Sequence, residues 1–206
     1  MLKIIDVLFA KRCIICRKKG HDICEECLKK SQEFFIKKPN KDGVIYAYKY
    51  KKSLRDAFIS YKFYGKKGNA RGLSTLFLEK LKYIDIQNFD IITYVPISKK
   101  RMHKRGFNQC ELLCDEFCKF FDIKAEKILI KKNTREQSKL SGNDRKVNII
   151  DTFVLKKDVE NKRILVIDDV YTTGATMNEV IRTINLGNPS SVTGCVLFKS
   201  SKNDEK

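Results

Sequence analysis

The feature that most constrains the fold is a run at 164–176, where an apolar stretch is followed by two acids and a threonine-rich loop. The four branched apolar residues at 164–167 predict a strand that is buried on both faces of a parallel sheet. Asp168 and Asp169 follow at the carboxyl end of that strand, where open α/β sheets bind their ligands. Because a helix is predicted from 177 to 186, the run forms a strand–loop–helix unit with a polar site at its turn.

The loop of this unit is chemically suited to a phosphate group. A helix N-terminus offers free N–H groups and a partial positive charge, threonine hydroxyls add donors, and glycine allows close backbone approach. The adjacent carboxylates can accept hydrogen bonds from two neighbouring sugar hydroxyls, so the pattern predicts a ribose 5-phosphate site. An ordinary strand, acidic turn and capped helix is the alternative. The predicted ligand-binding residues are Asp168, Asp169, Thr172, Thr173, Gly174, Ala175 and Thr176.

This run resembles the phosphoribosyl pyrophosphate (PRPP) motif of type I phosphoribosyltransferases. The resemblance implies that the acids bind the ribose hydroxyls and that the loop binds the 5-phosphate. Mg²⁺ is expected to bridge the pyrophosphate and the ribose rather than to lie in a protein cage. Neither a P-loop pattern nor a dinucleotide-binding glycine pattern is present, so those two nucleotide-binding folds are not supported.

A second cationic segment follows the predicted strand at 90–96. Cations and free N–H groups at the start of the next helix could hold a pyrophosphate, although a basic surface loop is the alternative. The residues of this prediction are Ser98, Lys99, Arg101 and Arg105.

Two C-x-x-C pairs near the N-terminus predict a structural zinc site. Cys13 with Cys16 and Cys24 with Cys27 can each present two thiolates, which together complete a tetrahedral Cys₄ centre. Redox pairs, an iron–sulfur site and buried thiols are the alternatives. All four positions would be closed by protein, so this metal is not expected to be catalytic. We predict a zinc-finger module over 1–43 and a PRPP-binding domain over 44–200.

The positive charge is concentrated away from the acidic run. Residues 1–108 hold 26 Lys and Arg against 10 Asp and Glu, a net of +16, whereas residues 109–206 have a net of +2. Such an asymmetry favours a polyanion partner, although an AT-rich genome could also produce it. Aromatic and basic residues alternate over 46–67, a pattern that can bind single-stranded DNA. The predicted DNA contacts are Lys62, Lys66, Lys67 and Arg71, whereas Phe58 and Tyr61 are predicted to be core.

The remaining pattern predicts further helices and strands of one α/β domain. Helices are expected over 2–9, from Ser53, over 72–84 and after 98, and strands over 44–50, 123–133, 151–155 and 191–198. Cys110, Cys114 and Cys118 recur at helical spacing and predict a packed helix face. No apolar run reaches 18 residues and no signal-peptide pattern is present, so we expect a cytoplasmic protein.

The order of these motifs resembles the ComF family of bacterial competence proteins over residues 8–198. The elements in order are the Cys₄ pairs, Val95-Pro96, the run from Arg105 to Gln109, the spaced residues Gln137, Leu140, Arg145 and Asn148, and the PRPP motif. The resemblance implies a type I phosphoribosyltransferase fold, a parallel sheet flanked by helices, with an N-terminal zinc finger. It also implies a role in natural transformation.

Two functions remain open at this stage. The first is a PRPP-binding protein that handles incoming single-stranded DNA beside the DNA-uptake machinery, at the cytoplasmic side of the inner membrane. The second is an active phosphoribosyltransferase in nucleotide salvage or synthesis. The basic N-terminal half favours the first.

Overall fold

The computed structural model describes residues 11–34, 36, 43–50, 52–64, 67–81, 85–132 and 152–200. The helices in these ranges are α1 (Glu25–Ser31), α2 (Lys52–Phe63), α3 (Asn69–Leu81), α4 (Lys99–Arg105), α5 (Gln109–Lys119) and α6 (Ala175–Asn185). The strands are β1 (Val44–Lys49), β2 (Ile91–Tyr94), β3 (Leu129–Lys131), β4 (Phe153–Leu155), β5 (Arg163–Tyr171) and β6 (Ser191–Lys199). Short 3-10 helices lie at Gln32–Phe34 and Ile86–Asn88.

The main sheet is parallel, and its strand order is β1-β6-β5-β2. The four apolar residues at 164–167 of β5 are fully buried, because β5 has strand neighbours on both sides and helices pack over the sheet. Helix α5 packs against β2 and β5, whereas α6 packs against β6. The predicted fold, a parallel sheet flanked by helices, is therefore confirmed.

Strand β5 is longer than the sequence predicted. It continues through both acids to Tyr171, because its partner β6 extends equally far and pairs Val196 with Asp168 and Phe198 with Val170. The two acids therefore lie within the strand, held by sheet hydrogen bonds, rather than in the loop beyond it. Helix α6 begins at Ala175, two residues before the predicted start.

Most of the other predicted elements are present with shifted bounds. The strand predicted over 44–50 is β1, and the helix predicted over 72–84 begins earlier, at Asn69, whose side-chain amide donates to the carbonyl of Ala57 at 3.2 Å. The strand predicted over 123–133 is only β3, which pairs antiparallel with β4. The predicted helix at 2–9 and the polar segment 134–148 lie outside the described residues.

Helix α5 carries the predicted face of three cysteines. Cys110, Cys114 and Cys118 are each about 99 to 100% buried, and Leu113 and Phe117 complete the same apolar core. This confirms a packed helix face.

The cysteine-rich segment at the N-terminus packs closely on α3. At Gly72 a Cβ atom would lie 2.7 Å from the carbonyl oxygen of Asp22 and 2.8 Å from Cγ2 of Ile14, so only glycine fits there. Ile14 belongs to the main hydrophobic core, and the Asp22 carboxylate lies 3.5 Å from Nε of Arg71. The segment thus shares packing with the sheet domain, and the predicted domain boundary at 43/44 stays a prediction.

Candidate functional site

The site is organised around two buried carboxylates near the end of β5. Asp168 is 6% exposed and Asp169 is 5% exposed. Oδ1 of Asp168 accepts a hydrogen bond from the backbone N–H of Asp169 at 2.8 Å and another from the thiol of Cys110 at 3.3 Å. Because Cys110 lies in the first turn of α5, that helix helps to fix the position of Asp168.

Asp169 is held by side chains from α5 and from α2. Its Oδ2 accepts from Nε2 of Gln109 at 2.8 Å and lies 2.9 Å from Nζ of Lys62 in α2. Gln109 in turn accepts a hydrogen bond from the guanidinium of Arg105 at the end of α4. Two helices, α5 and α2, therefore contact this carboxylate, and α4 acts on it through Gln109.

The electrostatic setting of the two acids differs. Burial, reinforced by the neighbouring Asp169 charge, raises the pKa of Asp168 to about 7. For Lys62, burial alone would lower the pKa, but the Asp169 carboxylate outweighs it and raises the pKa above its usual value. Lys62 therefore stays charged, while Asp168 can exchange a proton near neutral pH.

A cavity of about 300 Å³ opens over the acids. Among the residues that line it are Lys62, Phe63, Arg101, Lys131, Asp168 and Asp169. A second cavity, of about 160 Å³, is formed by the loop at 172–176 and shares Asp168, Thr172 and Thr176 with the first. The acids and the threonine loop, which the sequence predicted to act together, thus line two cavities that share residues.

The loop depends on a left-handed glycine. Gly174 has φ +81°, and its carbonyl accepts the first hydrogen bond of α6, from the N–H of Asn178 at 2.9 Å. A Cβ atom at this position would lie 2.2 Å from the hydroxyl of Tyr171. Because no side chain caps α6 at Gly174, its first turn faces the loop cavity with N–H groups suited to an anion.

The cationic segment after β2 contributes one direct lining residue among its four predicted ones. Ser98 caps α4 by accepting from the N–H of Arg101 at 3.3 Å, and the side chain of Arg101 borders the cavity. Lys99 is exposed, and Arg105 contacts Gln109. Lys131 of β3 also lines the cavity, where burial and the charge of Arg101 lower its pKa. Arg101 and Lys131 therefore line the same cavity as the acids.

Sequence reasoning missed three residues of this site, namely Gln109, Cys110 and Lys131. Gln109 ends the run from Arg105 that indicated the family. The sequence therefore pointed to this residue but did not indicate that it binds Asp169. Lys131 follows two apolar residues of a short strand and resembles many other lysines in the chain.

The residues predicted to bind DNA do not all lie together. Lys62 pairs with Asp169 inside the cavity, whereas Nζ of Lys67 lies 5.3 Å from the ring centroid of Phe107. Arg71 lies beside Asp22 of the cysteine-rich segment. Lys66 falls outside the described residues.

The four N-terminal cysteines form a cluster that fits a metal ion. Their sulfur atoms all lie within 4.8 Å of one another, and all four thiols are free. Cys24 immediately precedes α1 and Cys27 lies in its first turn, so the positive helix end faces the cluster. Burial would raise the pKa of Cys13, but backbone N–H groups, including that of Cys24 at 3.4 Å, lower it to about 6. Four such sulfurs match the donor set of a closed zinc site.

None of the helices in the described ranges is long and apolar enough to cross a membrane.

Comparison with known proteins gives consistent matches. Residues 110–206 match the phosphoribosyl transferase domain family. The chain is 30% identical over 169 residues to competence protein ComFC of Streptococcus pneumoniae (strain ATCC BAA-255 / R6), covering 78% of this chain and 73% of that protein. It is 27% identical over 186 residues to competence protein ComFC of Bacillus subtilis (strain 168), covering 87% and 73%. It is also 28% identical over 181 residues to the DNA utilization protein YhgH of Escherichia coli (strain K12), covering 85% and 77%.

Proposed function

Because this chain belongs to the ComF family of competence proteins, we propose that it binds PRPP and handles incoming single-stranded DNA during natural transformation. It would act at the cytoplasmic side of the inner membrane, beside the DNA-uptake machinery. One observation carries the PRPP part of the proposal: two buried acids and a glycine–threonine loop line two cavities at the end of the central strand, and these cavities share Asp168, Thr172 and Thr176. The names of its relatives and the basic N-terminal half support the DNA part.

The shape of the cavity supports a definite orientation of PRPP. The carboxylates of Asp168 and Asp169 would accept hydrogen bonds from the ribose hydroxyls, and the loop at 172–176 would hold the 5-phosphate. Arg101 and Lys131 face the cavity with the charge that a pyrophosphate requires. When Mg²⁺ is bound with the ligand, it would neutralise phosphate oxygens, and the carboxylate donors here fit such a cation.

The ion pair of Lys62 and Asp169 has a consequence for this orientation. With Nζ at 2.9 Å, the lysine occupies one acceptor position that a ribose hydroxyl would use. Bound PRPP would therefore compete with Lys62 for Asp169, and the displaced ammonium would remain close to the phosphates. Lys62 can therefore balance the charge of Asp169 in the empty site and the charge of the phosphates in the occupied site.

The alternative, an active phosphoribosyltransferase in nucleotide salvage or synthesis, is favoured by a different observation. The pKa of Asp168 is raised to about 7, which is the range in which a carboxylate works well as a general base. The match of residues 110–206 to the transferase domain family agrees with this role.

Isothermal titration calorimetry with PRPP and Mg²⁺ tests the proposal. The wild type should bind PRPP, and the double variant Asp168→Asn with Asp169→Asn should lose at least about 100-fold in affinity, because the ribose would lose its charged acceptors. Asp122→Asn, which changes an exposed acid after α5, is the matched control and should bind like the wild type. Unchanged affinity in the double variant would refute the assignment of the acids.

A turnover assay separates the two functions. Release of pyrophosphate from PRPP in the presence of candidate nucleobases would establish the enzyme. Binding without release, across the common bases, would support the binding protein.

A further inference from the structure

Two exposed aromatic side chains remain in the segment 46–67 once the core is accounted for. Tyr46, Tyr48, Phe58 and Tyr61 are each at most 2% exposed, so their ring faces are not accessible to a ligand. Phe63 is 66% exposed and Tyr64 is 73% exposed, where α2 ends. Of these two, Phe63 borders the 300 Å³ cavity.

Phe63 is also paired with a cation. The guanidinium carbon of Arg105 lies 5.7 Å from the centroid of its ring, within range of a cation–π contact. Exposed phenyl rings and guanidinium planes are the two surfaces on which unpaired bases stack in protein complexes with single-stranded nucleic acid. Most of the Phe63 ring is exposed to water at the edge of the cavity, so a planar nucleobase can stack on it.

The positive charge around Phe63 and Arg105 indicates a single-stranded nucleic acid as ligand rather than a free nucleobase. Helix α4, which ends at Arg105, carries five Lys and Arg residues and no acid. Lys67, four residues after Phe63 in the chain, adds a further cation. A free nucleobase is neutral and needs none of these charges, whereas the phosphates on either side of a stacked base would contact them.

We propose that Phe63 and Arg105 form a stacking platform at the mouth of the PRPP cavity, which holds one base of a single-stranded nucleic acid. This inference rests on the proposed function, since it names where the single-stranded nucleic acid would contact the PRPP site. The phosphates that flank the base lie along α4.

The platform is connected to the acids by two short paths. Arg105 donates to Gln109, which donates to Asp169, and Lys62, the residue before Phe63, pairs with the same carboxylate. A base that moves Arg105 or the end of α2 therefore changes the surroundings of Asp169. Any coupling must be reciprocal, so PRPP should change strand affinity by the same factor as the strand changes PRPP affinity.

Fluorescence anisotropy with two labelled oligonucleotides tests the platform. One is oligothymidylate of about twelve nucleotides, within the usual site size, and the other is an abasic strand of equal length and charge. Phe63→Ala should weaken binding of oligothymidylate about tenfold, the size expected for one stacked base, and should leave abasic-strand binding unchanged. Phe63→Trp should keep the wild-type affinity for oligothymidylate, because indole also stacks.

The control is Phe120→Ala, which removes another half-exposed phenyl ring, one that lies at the far end of α5 from the cavity. It should bind both strands like the wild type. Equal losses on the thymidylate and abasic strands in Phe63→Ala, or no loss on either, would overturn the platform.

A third arm uses free thymidine as competitor. Displacement of oligothymidylate by thymidine at low concentration would show a free-base site and would also overturn the inference. PRPP calorimetry on the wild type is read separately, so loss of PRPP binding would refute the proposed function while the oligonucleotide arms still report on Phe63.

Discussion

At the scale of single residues, the buried carboxylates differ in how their charge is balanced. Asp169 has an ammonium at 2.9 Å and an amide donor at 2.8 Å. Among the described residues, Asp168 accepts hydrogen bonds from a backbone N–H and a thiol, and its neighbour is another acid. Ionised Asp168 therefore opposes folding in the absence of ligand, a cost often found at binding sites.

We expect Asp168→Asn to stabilise the ligand-free protein in a pH-dependent way. The raised pKa means that between about pH 4 and 7 the folded protein keeps a proton that the unfolded chain has lost, so stability falls as pH rises through this window. At about pH 8 the variant should gain about 2 to 4 kcal/mol in free energy of unfolding, and at about pH 4 almost nothing. Denaturant unfolding at both pH values measures this.

The control for this prediction is Asp158→Asn, which changes an exposed acid that caps a local turn. Its effect should not vary over the same pH range. A gain for Asp168→Asn that is equal at both pH values would contradict the assigned cause.

The sequence predicted the binding roles of the acids and their loop because these residues are contiguous in the chain and follow one another as strand, acids and phosphate-binding loop. It did not predict the partners of the acids, which come from separate helices. Lys62 lies in a basic run, and we assigned it to DNA on that ground. Its position in the cavity follows from the packing of Phe58 and Tyr61, which fixes the face that α2 turns toward β5.

At the scale of elements, the loop before α6 is shaped by one backbone conformation. Gly174→Ala should reduce PRPP affinity at least about tenfold, because a side chain there is strained at φ +81° and its Cβ would meet the hydroxyl of Tyr171. The Tyr171 ring cannot move freely, since it packs edge-on against Tyr46 at 4.9 Å. Calorimetry with PRPP measures the change.

Gly43→Ala is the matched control for the loop. Gly43 has a similar φ of +72°, and a Cβ there would meet no atom within 4 Å. It should lose about 1 kcal/mol of stability from backbone strain and bind PRPP normally. Equal loss of PRPP affinity in both variants would show that strain alone, and not the Tyr171 contact, is responsible.

The cysteine cluster is an element that should depend on its metal. Protein purified without added zinc should contain about one equivalent, and chelation should lower the melting temperature, because Ile14 and the Asp22 carbonyl would lose their fixed position on Gly72. Metal analysis and thermal scans measure both effects. Cys16→Ser should lower the zinc content, whereas Cys118→Ala, which removes a thiol outside the cluster, should not. Metal-free protein with an unchanged melting temperature would exclude a structural zinc.

Element bounds show where local signals fail. The sequence predicted an apolar strand at 164–167 with both acids at its C-terminal end. The strand continues because β6 offers backbone partners as far as Lys199, a fact of tertiary pairing. The predicted strand over 123–133 shrinks to β3, whose partner in the part of the chain that the structure describes, β4, is three residues long.

At the scale of the whole molecule, the uneven charge should be visible in the salt dependence of DNA binding. Lys67→Ala with Arg71→Ala should lower the slope of log affinity against log salt by about 1.4, since each phosphate contact on a single strand contributes about 0.7. The control pair is Lys156→Ala with Lys162→Ala, two exposed lysines in the nearly neutral half. Anisotropy across a salt series measures the slope. A slope that falls equally in both pairs would assign the effect to total charge.

The pairing of β1 with β6 has a consequence for how the chain is made. Each β1 residue pairs with a residue 150 positions later, as Val44 does with Gly194. At about 5–20 residues per second, the ribosome needs roughly 8 to 30 seconds between synthesising the two partners. During that interval Tyr46 and Tyr48 have no sheet to cover them, so the nascent chain is exposed to aggregation and to chaperone binding until its last strand emerges.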